Sequence, residues 1–365
     1  MHRNLPVTVC LALAWAVNAV AAPAFPATQA NALLNNAITQ QNLVGLTAAI
    51  AVNGEIVWRG AAGLADREKN VPVTPDMLHR IASISKPQTA TAAMRLVEQG
   101  KLKLDAPITT YIPTYPVYNP PIQILHLLTH TSGIPHYYKP GQNRSNVHYD
   151  SLLAAVANFQ NEHLRADPGS KYLYTTLGYT LLGAAIESAS QKNFADAMHD
   201  LIWQPANMPN TRLEIAGQPT PPRMLGYTKS NSGEIAPTEP TDLSLKYPGG
   251  GMLSTPSDLL NFIIAFDNGT LVSDSTRARM LTPTALPDGR TVPYGIGWSV
   301  GESPDLGSHF GHNGNQAGAS SDLRLYTKHH VAIALISNLE KSNEALDTLR
   351  DELVKLAITP EAAVK

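Results

Sequence analysis

A serine and a lysine three residues apart could supply a nucleophile and its base. The segment Ser83-Ile84-Ser85-Lys86 opens a predicted helix over 83–99, which ends before Gly100. Residues at positions i and i+3 share one helical face, so the lysine amine can reach the Ser83 hydroxyl. A serine hydroxyl is a weak nucleophile until a base takes its proton, and a lysine that its surroundings keep neutral can be that base. The spacing therefore indicates nucleophilic catalysis, although Ser-x-x-Lys also arises often by chance.

Two further segments could complete such a site. Tyr174 precedes a predicted helix over 176–188, and its phenol there could exchange a proton with Lys86 and protonate a leaving group. His312-Asn313-Gly314-Asn315 forms a Gly-rich stretch before a predicted strand. The alternatives are a core tyrosine and a loop histidine, which are the commoner roles of such residues.

The elements that must position these residues fall into two groups. Apolar alternation and a hairpin signal at Asn53-Gly54 predict strands near both ends of the sequence, over 47–52, 55–60, 294–300, 320–326 and 331–337. Helical periodicity predicts further helices over 30–45, 152–158, 256–266 and 344–357. We therefore expect an α/β (α+β) fold, with an antiparallel sheet flanked by terminal helices and a large helical insertion. The sheet part would comprise about 30–80 and 290–360, and the helical part about 83–285, of one domain over 22–365.

The first 21 residues have the pattern of a signal peptide. Arg3 precedes an apolar run over 5–17, and Ala19-Val20-Ala21 is a small-x-small cleavage site. A membrane anchor is the alternative, but the run is shorter than the ~20 residues that a spanning helix needs. Cys10 is the single cysteine and lies inside this run, so residues 22–365 contain none. We expect an exported protein, periplasmic or secreted, with no membrane span after cleavage and with no disulfide, cysteine nucleophile or thiolate metal site.

Composition and spacing argue against several other classes of function. Lys and Arg total 27 against 29 Asp and Glu, for a net charge of −2, and no basic stripe predicts nucleic acid as a partner. His126 and His130 are four residues apart, but no Glu-x-x stands between them as a zinc-binding His-Glu-x-x-His motif requires. Gly249-Gly250-Gly251 lacks the Lys-Ser/Thr of a phosphate-binding loop and predicts a tight turn near the site. We expect no metal and no cofactor, and a small-molecule or peptide substrate, with the oligomeric state left open.

Five segments in a fixed order resemble a known superfamily. They are Ile81-Ala82-Ser83-Ile84-Ser85-Lys86, Leu127-Leu128-Thr129-His130-Thr131-Ser132-Gly133, the run from Pro168-Gly169 through Tyr174 to Gly178-Tyr179, Gly249-Gly250-Gly251-Met252-Leu253-Ser254-Thr255, and Gly311-His312-Asn313-Gly314. Together they resemble the serine beta-lactamase-like superfamily of class C beta-lactamases, D-alanyl-D-alanine carboxypeptidases and related esterases, over about residues 30–355. In their residues, these segments are similar to the mitochondrial beta-lactamase-like branch and its bacterial relatives.

The resemblance implies a beta-lactamase/transpeptidase-like fold and a role for each matching residue. Ser83 resembles the acylated nucleophile, Lys86 its base and Tyr174 the proton relay. His312-Asn313-Gly314 stands where class C lactamases have Lys-Thr-Gly, and the N–H groups of Ser83 and Asn315 would form the oxyanion hole.

Two departures from the family pattern bear on the substrate. Thr176 replaces the asparagine whose amide holds the acylamide side chain of a substrate. His312 replaces a lysine, and a neutral histidine binds a carboxylate poorly near pH 7, although His-x-Gly occurs in the peptidase and esterase branches. We therefore predict an exported serine hydrolase that forms an acyl-enzyme with amides or esters: cell-wall D-peptides first, small esters second and beta-lactams third. The alternative, which Thr176 motivates, is a non-catalytic penicillin-recognising scaffold.

Overall fold

The strands of the main sheet come from the two ends of the described chain. The computed structural model describes residues 25–218 and 221–359, and the predicted signal peptide over 1–21 lies outside the described residues. Within them the strands are β1 (Gly45–Val52), β2 (Glu55–Asp66), β3 (Val71–Pro72), β4 (His79–Arg80), β5 (Arg212–Leu213), β6 (Tyr227–Lys229), β7 (Ile235–Pro237), β8 (Met252–Ser254), β9 (Thr284–Ala285), β10 (Thr291–Val292), β11 (Ser299–Ser303), β12 (Gly307–Gln316), β13 (Ala319–Tyr326) and β14 (Val331–Ser337).

The helices lie mostly between the two groups of strands. They are α1 (Ala27–Gln40), α2 (Ser85–Glu98), α3 (Ile124–Leu128), α4 (Leu152–Ala157), α5 (Thr176–Ser190), α6 (Phe194–Met198), α7 (Tyr247–Gly250), α8 (Pro256–Asp267), α9 (Asp274–Leu281) and α10 (Asn343–Ile358). Two short 3₁₀ turns, Ala82–Ile84 and Ser244–Lys246, lead directly into α2 and α7. None of the helices in the described ranges is both long and apolar enough to cross a membrane.

Seven strands form one antiparallel sheet in the order β11-β12-β13-β14-β1-β2-β3. The sequence of β1 is apolar almost throughout, as expected for a strand that is buried on both faces. Ile50 on β1 lies opposite Trp58 on β2 and Ile333 on β14. Alternate β1 residues pack against the terminal helices α1 and α10 on one face and against the core that contains α8 on the other. This arrangement confirms the predicted antiparallel sheet with flanking terminal helices.

The turn between β1 and β2 has the predicted hairpin form. Asn53 and Gly54 have φ angles of 52° and 83°. Positive φ at both central residues is the geometry of a two-residue type I′ turn, which suits the twist of the flanking strands.

Three sequence expectations differ from the structure. The first helix ends at Gln40 rather than near residue 45, and Asn42 takes a left-handed φ of 53° beyond its end. The strand expected over 294–300 is wrong in its first part: β11 begins at Ser299, and Gly297 before it has a φ of 80°. No strand was expected over 307–316, because the glycines and polar residues of β12 hide its alternation.

The helical part packs around α5, whose sequence is apolar on nearly every side. Residues 176–186 of this helix are all buried. Thr175 caps the helix, because its side chain accepts a hydrogen bond from Gly178 N–H at 3.0 Å. Helix α5 contacts α2, α4 and α7, so the segments that carry Ser83, Tyr174 and Gly249 meet at its first turn.

Candidate active site

Ser83 lies on the 3₁₀ turn before α2, not inside the helix as the sequence predicted. The preceding residue, Ala82, has a left-handed φ of 47°, a conformation that costs energy for any residue with a Cβ. Two buried hydroxyls hold the strained backbone: Ser85 Oγ donates to Ala82 O and Ser321 Oγ donates to Ile81 O, both at 2.8 Å. The turn that presents Ser83 is therefore fixed from both sides.

Lys86 is fully buried and its amine contacts Ser83. Its Nζ lies 3.2 Å from Ser83 Oγ, 3.2 Å from Thr176 Oγ1 and 2.7 Å from Gly249 O. Among the described residues no carboxylate pairs with this amine. Burial, and secondarily the charge of Lys246, hold the pKa of Lys86 well below its usual range. The surroundings thus favour the neutral amine.

Tyr174 completes the contacts around Ser83. The Lys86 amine lies 4.8 Å from the centroid of the Tyr174 ring, and Tyr174 lies beside Ser83 at the same cavity. Burial raises the pKa of Tyr174 above its usual range. At a pH at which Lys86 is neutral, the phenol of Tyr174 is therefore still protonated.

A directed chain of hydrogen bonds connects the loop before α5 with β12. Thr175 N–H donates to His130 Nδ1 at 3.1 Å, and a backbone N–H can only donate. His130 Nε2–H then donates to the Tyr294 hydroxyl at 3.3 Å, and this hydroxyl donates to His312 Nε2 at 3.2 Å. His312 Nδ1–H in turn donates to Asn313 O at 2.6 Å.

Two backbone groups therefore set the histidine tautomers: the Thr175 N–H makes His130 Nδ1 an acceptor, and Asn313 O requires a proton on His312 Nδ1. Burial lowers the pKa of His312 to about 3 and that of His130 well below its usual value, so both rings are neutral. One ring nitrogen of His312 accepts from Tyr294, and the other donates to Asn313 O. It contributes shape and position to the site, not a positive charge.

The outer end of β12 forms the wall opposite α5. Strand β11 pairs with β12 only as far as Gly311, so residues 312–316 have one backbone edge without a strand neighbour. A Cβ placed on Gly314 would lie 2.6 Å from Ile81 O and 2.4 Å from Ser321 Oγ. The glycine therefore lets this strand pack directly against the turn that carries Ser83.

These elements enclose a cavity of about 500 Å³. Of the seven candidate site residues from the sequence, the structure places five at its lining: Ser83, Tyr174, Thr176, His312 and Asn315. The other two are Lys86, which lies behind Ser83, and Gly314, which packs against Ile81 O. In residues 25–218 and 221–359, no three His, Cys, Asp or Glu side chains come together as metal ligands would.

Several lining residues escaped the sequence analysis. Lys246 is one of them, and its one signal was its position just before Gly249-Gly250-Gly251, which was taken for a tight turn. His136 is another lining residue, and its Nδ1 accepts the Thr176 N–H at 3.0 Å. Tyr294 was placed in a strand, whereas it lies at the lining between two histidines.

Comparisons with known proteins identify the family of the chain. A family model described as Beta-lactamase matches residues 30–357. The chain is 30% identical over 316 residues to Penicillin-binding protein 4* of Bacillus subtilis, covering 82% of this chain and 69% of the relative. It is 36% identical over 227 residues to Esterase EstB of Burkholderia gladioli, covering 54% and 57%. It is 28% identical over 372 residues to the mitochondrial serine beta-lactamase-like protein LACTB of Homo sapiens, covering 76% and 68%.

A solved structure shows the same fold over nearly the whole chain. The D-amino acid amidase of Ochrobactrum anthropi, complexed with L-phenylalanine, superposes with a TM-score of 0.79 at 25% identity and covers 91% of this chain and 99% of the amidase. The family model, the curated relatives and the fold agree, and the chain belongs to the beta-lactamase family of serine hydrolases.

Proposed function

We propose that the protein is an exported serine hydrolase that cleaves amide or ester bonds through an acyl-enzyme on Ser83. The observation that carries the proposal is the buried Lys86 amine, without a carboxylate partner in the described chain and 3.2 Å from Ser83 Oγ. A lysine buried for structural reasons alone would cost stability with no return, since an unpaired buried amine loses its hydration.

The hydrogen bonds of Lys86 support its role as the base. A neutral amine has two N–H groups and one lone pair. Gly249 O can only accept, so it takes one N–H, and Thr176 Oγ1 can take the second. The lone pair is then left for the proton of the Ser83 hydroxyl.

Tyr174 and the β12 edge supply the remaining steps. Ser83 Oγ attacks the substrate carbonyl carbon as its proton passes to Lys86, and the carbonyl oxygen becomes an oxyanion between the N–H groups of Ser83 and Asn315. The protonated Tyr174 phenol gives its proton to the leaving amine or alcohol and recovers one from Lys86. Water then attacks the acyl carbon and releases Ser83. Loss of one oxyanion donor typically costs about 2.7–4 kcal/mol of transition-state stabilisation.

The substrates that we propose are cell-wall D-peptides first, small esters second and beta-lactams third. Relatives that are named a penicillin-binding protein and an esterase, and a fold shared with a D-amino acid amidase, support this range. Thr176 lacks the amide that family members use toward an acylamide, and this places beta-lactams last. The signal-peptide pattern over 1–21 supports export to the periplasm or the medium.

A fluorophosphonate probe separates catalysis from the alternative, a non-catalytic penicillin-recognising scaffold. Intact mass should show one adduct on the wild type and none on Ser83→Ala. Ser85→Ala is the matched control, because the Ser85 hydroxyl is buried and donates to Ala82 O, and it should still be labelled. An unlabelled wild type would favour the scaffold.

Intact mass after incubation with benzylpenicillin, with free drug measured in the same sample, then defines the substrate. A stable adduct that Ser83→Ala abolishes would indicate a peptidase-like site with slow deacylation. Unhydrolysed drug without an adduct would mean that the cavity rejects beta-lactams, and a panel of esters and D-peptides would be assayed next. Hydrolysed drug without an adduct would identify a lactamase and contradict our interpretation of Thr176.

A further inference from the structure

We infer that Lys246 is an anion-recognition residue, and that the preferred substrates carry a carboxylate or similar anion that reaches Lys246 when the scissile bond lies at Ser83. This inference rests on the proposed function and narrows its substrate class. Lys246 takes no part in the mechanism above, and it lies outside the five segments that resemble the superfamily.

Lys246 is buried yet has hydrogen-bonding capacity to spare. It is 4% exposed, lines the cavity, and stands at the end of the 3₁₀ turn that leads into α7. Its Nζ donates to one acceptor in the described structure, Asn143 O at 2.9 Å. An ammonium group carries three N–H donors, so two are left for a ligand or for water.

Lys246 also differs from other buried cations in its lack of a carboxylate. Four Lys and Arg side chains are buried in the described residues. Arg80 pairs with Glu214 at 2.7 Å, and Arg350 pairs with three aspartates. Lys86 and Lys246 have no such partner there; Lys246 lines the cavity, and Lys86 lies behind Ser83. Buried charges are normally paired, so a site that leaves one unpaired is suited to a counter-charge from outside.

The charged groups that face Lys246 do not neutralise it. Arg80 and Arg144 lie near it, and so does Lys86 across the cavity. Glu214 is the nearby acid, but Arg80 and Arg223 already hold both of its oxygens. Among the described residues that line the cavity, none is Asp or Glu.

The same lining argues against cationic substrates. No carboxylate in the described lining would pair with an ammonium, which would instead meet the Lys246 amine. His136 adds a donor: because its Nδ1 accepts the Thr176 N–H, the neutral ring presents an Nε2–H. Anionic and neutral substrates should therefore be preferred over amino-acid amides with a free ammonium.

Two series of aryl esters test the inference. In the first series, 4-nitrophenyl phenylacetate carries carboxylate, methyl ester or trimethylammonium at the para position of the acyl ring. In the second, the same groups replace the nitro group on the leaving phenol. Dissociation constants are measured by calorimetry on Ser83→Ala at pH 6, and kcat/KM on the Ser83 enzyme. Lys246→Gln, Lys246→Arg and the exposed Lys171→Gln are made in both backgrounds.

In at least one series the anion should bind at least about tenfold more tightly than the neutral ester, as a charge-assisted hydrogen bond gives. The cation should bind more weakly than either. Lys246→Gln should reduce the anion-to-neutral ratio at least fivefold, while Lys246→Arg and Lys171→Gln should retain it.

An anion-to-neutral ratio that is near one, or that Lys246→Gln leaves unchanged in both series, would overturn the inference. Binding is measured on Ser83→Ala, where no turnover occurs. If the Ser83 enzyme hydrolysed none of the esters while the anion-to-neutral ratio of dissociation constants was as expected, the proposed function would be refuted and the anion site would remain supported.

Discussion

Replacing Lys246 with methionine should make the protein more stable near neutral pH, although the residue lines the cavity. Burial, and then the charge of Arg80, lower the pKa of Lys246 from 10.5 to about 7. Between these two values the unfolded chain binds a proton that the folded chain does not, so wild-type stability falls as the pH is lowered from 10.5 to 7. The penalty is fully present below pH 7 and absent above pH 10.5.

The size of the effect follows from this pKa difference. One pKa unit corresponds to about 1.4 kcal/mol, so the penalty is about 4–5 kcal/mol at pH 6 and falls to about 1–2 kcal/mol at pH 9.5. The variant also loses the hydrogen bond to Asn143 O, which is worth about 1 kcal/mol. Lys246→Met should therefore be about 3–4 kcal/mol more stable than the wild type at pH 6, and nearly equal to it at pH 9.5.

Urea unfolding at four pH values from 6 to 9.5 measures this difference. The exposed Lys101→Met is the matched control and should show a small difference that does not change with pH. A Lys246→Met variant that is less stable at pH 6, or whose stability difference is independent of pH, would refute the reasoning. The expected result would mean that the cavity keeps its lysine at the expense of the fold, as functional sites often do.

Three more substitutions test the site. Ser83→Ala should abolish turnover and leave the melting temperature nearly unchanged, and retained hydrolysis of any substrate would exclude Ser83 as the nucleophile. Tyr174→Phe should slow hydrolysis at least about 100-fold, the lower range for general acid–base catalysis, and a rate near that of the wild type would remove Tyr174 from the mechanism. Tyr294→Phe leaves His130 Nε2–H and His312 Nε2 without their buried partner, so urea unfolding should show a loss of about 2–4 kcal/mol. An unchanged unfolding midpoint would argue against the directed hydrogen-bond chain.

The sequence could predict those structural features that depend on residues close together in the chain. The apolar runs of β1 and β14 and the Asn53-Gly54 turn are such features, and they led to the sheet. Ser83 and Lys86 followed from helical spacing, although the serine lies on the 3₁₀ turn directly before α2 rather than inside the helix.

The features that the sequence missed depend on distant contacts. Strand β12 has the composition of a loop because Gly311 and Gly314 must admit neighbouring backbone. The His130–Tyr294 contact joins residues 164 positions apart, and the tautomer of His130 depends on the N–H of Thr175, which is 45 positions away. Lys246 has no motif of its own, and its burial beside the cavity exists only in the folded chain.

The placement of β1 between β2 and β14 has a consequence for how the chain folds. Thr47 on β1 and Ile336 on β14 are 289 positions apart, so the central strand keeps one open edge until almost the whole chain has been synthesised. Such non-local pairing slows folding, and an unpaired apolar edge invites association with other chains. The wall formed by β12 also arrives late, since Gly314 on β12 packs against Ile81 O before α2. Truncation before β12 should therefore yield an aggregation-prone chain without a site, rather than a weaker enzyme.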